Sequence, residues 1–157
     1  MRWDTPLEQA LVARQTLRRQ GLPLVFSNGH FDLLHVGHLD YLEQARALGA
    51  ALYVGLNGDS STMRLKGPGR PLVTAQERAR LLSALRVVDC VLIFEDDTAA
   101  GLIQALQPEI YVKGGDYAHK LLPERPLVES YGGRVVLIDL VPEHSTSALI
   151  ARIKALP

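Results

Sequence analysis

The sequence predicts a single α/β domain built on a doubly wound sheet of five parallel strands with helices on both faces, and three observations predict it. Five short apolar runs, "PLVFS", "ALYVGLN", "CVLIF", "EIYVK" and "RVVLIDL", alternate with stretches of helical periodicity. Near-continuous apolar runs suit strands buried on both faces, as parallel strands are beneath their crossover helices. The length of 157 residues suits one compact domain with one site. Such an arrangement is Rossmann-like, and it places a ligand outside the carboxyl ends of the strands, where the strand order reverses.

Residues 1–21 read as an N-terminal helical extension to a domain of residues 22–157: Leu7, Leu11, Val12 and Leu17 form an apolar stripe that Gly21 ends. Helices are then expected over Val36 to Leu48, Thr74 to Leu85, Thr98 to Leu106, Pro126 to Tyr131 and Ser145 to Ala155. Thr74 with Glu77 three residues on is a capping box, and Gly132 with Gly133 stops a helix before the last strand. The stretch "NGDSSTMRLKGPGRPLV", residues 57–73, is expected to be irregular, and loops of that length in compact domains are commonly functional. No internal repeat or low-complexity tract interrupts the pattern.

Apolar residues at 47% and charged residues at 22% belong to a folded globular chain. Basic and acidic residues number 17 each, so no overall field gathers nucleic acid or anionic membrane, and no basic stripe with interleaved aromatics is present. A phosphate site must therefore be local. The opening "MRWDTPLEQALVARQTLRRQG" carries acids and glutamines and lacks the apolar segment of a signal peptide or membrane span, so a cytoplasmic location is expected. Cys90, the single cysteine, sits in "VVDCVLIF" and reads as a buried, inert thiol.

The stretch "SNGHFDLLHVGHLDYLEQARALGA", residues 27–50, holds three of the five histidines. It follows the first strand and so lies at the ligand edge. Asn28 and Gly29 make a turn that lets backbone approach a ligand, and Gly37 allows a second approach at the start of the helix. His35 and His38 flank Gly37 where free amides and the positive end of the helix dipole already favour an anion. Imidazoles add donors for phosphate oxygens. A zinc site needs more ligands than the nearby Asp32 and His30 supply, so no protein-bound metal is expected.

"GHFDLLHVGH" resembles the G-x-F-D-x-x-H-x-G-H signature of the nucleotidyltransferase superfamily that includes the cytidylyltransferases. "HSTSALI" resembles its second signature, a Ser/Thr-rich turn opening the final helix, with Ser147 where the family usually has threonine. The likeness covers nearly all of residues 22–153. "RLKGPGRP", "QERARLLSALRVVD", "FEDDT" and "PEIYVKGGDY" are similar to the adenylyltransferase domain of the bifunctional heptose enzymes that make ADP-glycero-manno-heptose, where a sugar kinase precedes it. This chain looks like a stand-alone version.

The resemblance implies attack by a sugar phosphate oxygen on the α-phosphorus of ATP, with magnesium accompanying the triphosphate and pyrophosphate leaving. It implies that His35 and His38 contact the triphosphate and stabilise the transition state, and that Asn28, Gly29, His30, Phe31 and Asp32 line the nucleotide pocket, mostly through backbone. Lys66 matches a phosphate-contacting lysine, with Arg64 and Arg70 as weaker sources of the same charge. Lys113, Gly115 and Asp116 follow the fourth strand: Lys113 adds charge near the phosphates, Gly115 permits close approach, and Asp116 holds a ribose hydroxyl or a magnesium-bound water, or only its own turn. Ser145, Thr146 and Ser147 cap the last helix and grip the β- and γ-phosphates. On the acceptor side, Asn57 and Asp59 bind substrate or cap the loop, and Arg78 reaches the acceptor phosphate or a surface ion pair. His30 stands where the family commonly has a small or apolar residue, as a phosphate or base contact or as packing beside the turn.

The runner-up activity is a cytidylyltransferase acting with CTP on glycerol 3-phosphate or a related polyol phosphate. The sequence "LVPEH" before the Ser/Thr turn, in place of an arginine, favours the heptose branch. A nucleotide-binding regulator without turnover is the reading from another class. The superfamily often forms dimers, and Trp3 with the N-terminal helix is either a dimer contact or packing on its own domain.

Overall fold

A computed structural model of the chain describes residues 3–115, 122–139 and 145–156. The strands are β1 (Leu24–Gly29), β2 (Ala51–Asn57), β3 (Cys90–Phe94), β4 (Ile110–Gly114) and β5 (Arg134–Ile138). They form one sheet in the order β3-β2-β1-β4-β5, and every pairing is parallel. The helices are α1 (Leu7–Arg19), α2 (Val36–Arg46), α3 (Asp59–Lys66), α4 (Ala75–Ser83), α5 (Ala100–Leu106), α6 (Arg125–Ser130) and α7 (Thr146–Lys154).

The period of two along each strand sorts side chains into two cores. Val25, Leu52, Val54, Val91 and Val112 pack against Tyr41, Leu42 and Ala45 of α2 and Ala79 and Leu82 of α4. Leu24, Phe26, Tyr53, Leu92 and Tyr111 pack on the other face against Ala10 of α1, Ile103 and Leu106 of α5 and Val128 of α6. The doubly wound reading of the sequence therefore holds. The chain runs outward from β1 to β3, then returns to lay β4 on the free side of β1. The crevice between the carboxyl ends of β1 and β4 is the switch point where such sheets bind ligands.

The N-terminal helix is joined to the sheet by an arginine. Arg14 is only 2% exposed; its guanidinium donates to Leu106 O and Gln107 O, both at 2.9 Å, and to Glu109 Oε1. Glu109 Oε2 accepts from Leu24 N at the start of β1. Of the two placements open to Trp3, the structure has it against its own domain, with the Arg80 guanidinium 4.7 Å from the ring centroid. Cys90 is buried as expected, and burial pushes its thiol up to about 11.

One sequence expectation fails. The stretch 57–73 is not irregular throughout, because α3 occupies Asp59–Lys66. Its Ser and Thr content is poor for a helix, but tertiary contacts hold it. Ser61 and Thr62 are fully buried, Ser61 N donates to Glu95 Oε2 at 3.0 Å, and Gly67, at φ +96°, ends the helix with a backbone that side chains seldom adopt. Lys66 is accordingly the last residue of a helix rather than part of an open loop.

Candidate active site

The turn after β1 is strained and clamped. Phe31 and Leu33 hold φ of +47° and +56°, a left-handed conformation unusual for such side chains, and a Cβ on Gly29 would lie 3.1 Å from the Phe31 ring. Burial of Phe31 and Asp32 keeps the turn in place. The Asp32 carboxylate accepts from Leu72 N (2.9 Å) and Val73 N (3.1 Å) and pairs with the Arg70 guanidinium at 3.0 Å. The Asp32 carbonyl accepts the Thr146 hydroxyl at 2.8 Å. Asp32 thus fastens the 70–73 segment and the start of α7 to the turn, and its carboxylate is engaged by protein donors.

His35 is the N-cap residue of α2 and His38 lies in its first turn, with Gly37 buried between them. The two imidazoles stack with centroids 3.9 Å apart, and Phe31 tilts against His38 at 5.2 Å. Burial, aided by the neighbouring His35, pushes the His38 imidazole down to about 4. His38 is therefore neutral at pH 7, and its Nδ1 has no hydrogen-bond partner among the described residues. A neutral ring at a helix N-terminus donates to an anion without the repulsion that two stacked cations would suffer.

Across the crevice, β4 supplies the complementary wall. Lys113 is buried and donates from Nζ to Asn28 O (3.3 Å) and Oδ1 (3.2 Å), while the Tyr111 hydroxyl donates to Asn28 Oδ1 at 2.6 Å. Burial lowers the Lys113 ammonium to about 8, with Glu124 acting against the shift and Lys66 adding to it. Tyr41 of α2 shares a hydrogen bond with Ser27 Oγ and donates to Val112 O, so the helix carrying the histidines is tied to both strands of the crevice.

His30 lies within the influence of several positive side chains. Burial pushes its imidazole down to about 4, and Lys66, Arg78, Lys113 and Arg70 all act in the same direction. Four cations converging on one ring make an anion-binding neighbourhood in a chain with no net charge. A cleft of about 320 Å³ is lined by Asp59, Ser60, Met63, Arg70, Pro71 and Thr74, and Arg70 is also one of the charges acting on His30.

Of the two readings of Arg78, an acceptor phosphate contact or an ion pair, the structure has the guanidinium in an ion pair, with Asp59. Arg78 is 1% exposed, and its guanidinium donates to Val73 O (2.8 Å), His30 O (2.6 Å), Asn57 O (2.8 Å) and Asp59 Oδ1 (2.8 Å). Its one ion pair is with the half-exposed Asp59, and its other donors are taken by backbone carbonyls. Asp59 also accepts from Ala75 N, and Asn57 is buried with its amide donating to Ser61 Oγ, so both serve this scaffold. Ser145 caps α7 by accepting from Ala148 N at 3.1 Å, and Ser147 is exposed. Gly115 directly follows the end of β4, and Asp116 lies outside the described residues. Three residues that the sequence does not single out belong to the site: Tyr111, Thr62, whose hydroxyl lies 3.0 Å from His30 Nδ1, and Glu124, a buried acid facing Lys113. Only Tyr111 had a readable signal, standing two positions before Lys113 in one strand.

Two half-buried neutral histidines have a measurable consequence. The unfolded chain takes up protons at His30 and His38 near 6.5, the folded chain only near 4. The unfolded state therefore binds more protons over that window, so stability falls as pH drops from about 6.5 to 4, by on the order of 1–3 kcal/mol per histidine. Melting temperature followed from pH 7 to pH 4 is expected to decline, and the decline is expected to flatten in a His38→Gln variant.

Comparison with known proteins agrees with this geometry. Residues 26–154 match the family model "Cytidylyltransferase-like". The chain is 57% identical over 136 residues to a protein of Syntrophotalea carbinolica called bifunctional protein HldE, covering 87% of this chain and 28% of that protein. It is 51% identical over 146 residues to the protein of the same name from Magnetococcus marinus, covering 91% and 30%. The chain thus spans less than a third of the length of these relatives. Among solved structures, the lipopolysaccharide core biosynthesis protein of Thermoplasma volcanium aligns with a TM-score of 0.62 and 27% identity, over 76% of this chain and 97% of that one. Pantothenate synthetase of Thermus thermophilus aligns at 0.60 with 19% identity, over 90% and 62%, a likeness of fold alone.

Proposed function

The chain belongs to the cytidylyltransferase-like family, and from that premise we propose that it is a nucleotidyltransferase that transfers AMP from ATP to a sugar phosphate of the heptose 1-phosphate type. The observation that carries the reading is the stacked His35–His38 pair at the head of α2, set at the β1/β4 switch point among converging cations. The relatives named bifunctional protein HldE support the heptose acceptor.

In this reading a phosphate oxygen of the acceptor attacks the α-phosphorus, the bond to the bridging oxygen breaks, and pyrophosphate leaves with the electron pair. The attacking oxygen is already anionic and needs no base, so catalysis rests on alignment and charge. His38 and His35 donate to oxygens of the α-phosphate and of the leaving group. The α2 amides add fixed positive potential there. Thr146 holds the histidine turn in place through Asp32, and Ser147 is free to meet the terminal phosphates. Lys113 keeps Asn28 aimed at the crevice, and Lys66, exposed at the end of α3, covers the pyrophosphate. The carboxylates of Asp32 and Asp59 are engaged by protein donors, so magnesium fits here as the companion of the triphosphate, held by its oxygens. When bound it neutralises charge on the leaving pyrophosphate. A cytoplasmic setting and a homodimer belong to the same reading.

Lys66→Ala is expected to raise the KM for ATP or lower kcat about tenfold or more, measured by steady-state pyrophosphate release. An unchanged variant removes α3 from the mechanism. Acceptor and base are tested by crossing ATP and CTP against heptose 1-phosphate and glycerol 3-phosphate in the presence of magnesium. Turnover confined to ATP with the heptose is expected. Turnover confined to CTP with glycerol phosphate assigns the chain to the polyol branch instead.

A further inference from the structure

We propose that the pocket at the amino-terminal edge of the sheet, between the end of α5 and the start of β5, is a second binding site, for a phosphate-class oxyanion held by Arg14, Arg18 and Tyr131. No step of the reaction proposed above passes through it.

The parallel topology places this pocket. Gln107 and Glu109 lead into β4, and Gly132 and Gly133 lead into β5, so it lies at the edge opposite the carboxyl ends where the histidines stack. Arg18 of α1 and Tyr131, just past α6, also line it. Its volume of about 200 Å³ is below the roughly 300–1,000 Å³ of pockets that enclose drug-sized ligands, and suits a phosphate group.

Two buried donors are left over here. The Tyr131 hydroxyl and Arg14 Nη1 are buried and have no hydrogen-bond partner among the described residues, although buried polar groups are nearly always paired. Arg14 is only 2% exposed, and its Nη2 donates to Gln107 O and Glu109 Oε1, both of residues that line the pocket. Nη1 shares the guanidinium carbon with Nη2. Burial pushes the Tyr131 phenol up to about 12, with Glu109 and Arg14 both acting on it, so the hydroxyl stays a protonated donor beside the same pair. Arg18 is the third donor. It is exposed, makes only long contacts to Leu106 O (3.4 Å) and Gln107 O (3.5 Å), and pairs with no carboxylate among the described residues.

Charge and donor count fix the ligand class. One Glu109 oxygen accepts from Arg14 and the other from Leu24 N at 2.7 Å, so that carboxylate is balanced within the protein. Arg18 remains as the unbalanced charge of the lining, which opposes a cation. Three donors on three side chains call for three acceptor oxygens. A phosphate supplies them, whereas a carboxylate has two. The shared chemistry is that of free phosphate and of the phosphate head of an ester.

The test titrates the full ¹⁵N-labelled chain with inorganic phosphate and, separately, with glycerol 3-phosphate, each against sodium chloride at equal ionic strength. The Gly132 and Gly133 amides and Arg14 Nε are expected to shift and saturate with phosphate. Saturation by the ester as well extends the site to phosphate heads, and saturation by phosphate alone confines it to the free anion. Tyr131→Phe, which keeps the ring, and Arg18→Gln, at an exposed position, are each expected to weaken phosphate about tenfold, the worth of one hydrogen bond. His38→Ala, at the other edge, is expected to leave this binding unchanged. Without phosphate, Tyr131→Phe is expected to melt no lower than the unaltered chain, because the lost hydroxyl has no protein partner. A lower melting temperature overturns the assignment by showing that bound water already satisfies the hydroxyl. Shifts that chloride reproduces, or that both variants retain at full affinity, overturn it too. All readings are taken without turnover, so they stand apart from the proposed reaction.

Discussion

His38→Ala is expected to lower kcat by about 10²–10³-fold with the fold intact, the usual effect of removing one donor aimed at charge that develops in a transition state. The ring is packed between His35 and Phe31, so alanine also removes the restraint on His35. For that reason His38→Asn, which keeps an N–H donor, is the second variant and is expected to recover part of the lost activity. Circular dichroism and thermal melting establish that the protein folds. Steady-state pyrophosphate release then gives kcat and the two KM values. A fall in kcat at unchanged KM marks an interaction made chiefly in the transition state. An active alanine variant would return His38 to a packing role.

Arg78→Ala is expected to act on stability rather than on substrate. Its removal leaves the carbonyls of His30, Asn57 and Val73 without this donor and Asp59 without its cation. Breaking a buried network of this kind costs about 3–5 kcal/mol, a large share of the roughly 5–15 kcal/mol that holds an ordinary domain together. A fall in melting temperature of about 10 °C or more follows for a domain of this size. Arg78→Lys is expected to recover little, because one ammonium cannot span four acceptors on three segments. An unchanged melting temperature with a raised KM for the sugar phosphate would put Arg78 back among the substrate contacts.

What the sequence made legible was local. The strands could be read because each is a short apolar run between turn residues. The capping box of α4 could be read because Thr74 and Glu77 are three residues apart, and both of its hydrogen bonds form. The histidine turn could be read because its residues are contiguous and the fold class places the turn at the ligand edge. What stayed hidden depended on distant segments. The segment of α3 lacks an apolar stripe, and its burial is decided by Glu95 and by the end of β2. Asp32 looks like a pocket acid until Arg70, Leu72 and Val73, some forty residues on, close around it. Arg78 looks like a surface residue on an amphipathic helix, and only the convergence of β1, β2 and the 73–74 turn buries it. A charged residue buried by three segments leaves no periodic trace.

In the proposed reaction the stacked histidines handle the α-phosphate and AMP is the group transferred. The most direct measurement incubates the chain with magnesium, heptose 1-phosphate and ATP labelled either at the α- or at the γ-phosphorus, and follows the label. α-Label is expected to enter an ADP-sugar while γ-label leaves in pyrophosphate, one for each sugar nucleotide formed. Label that moves from the γ-position to the sugar, or α-label that never leaves ATP, would contradict the proposed reaction.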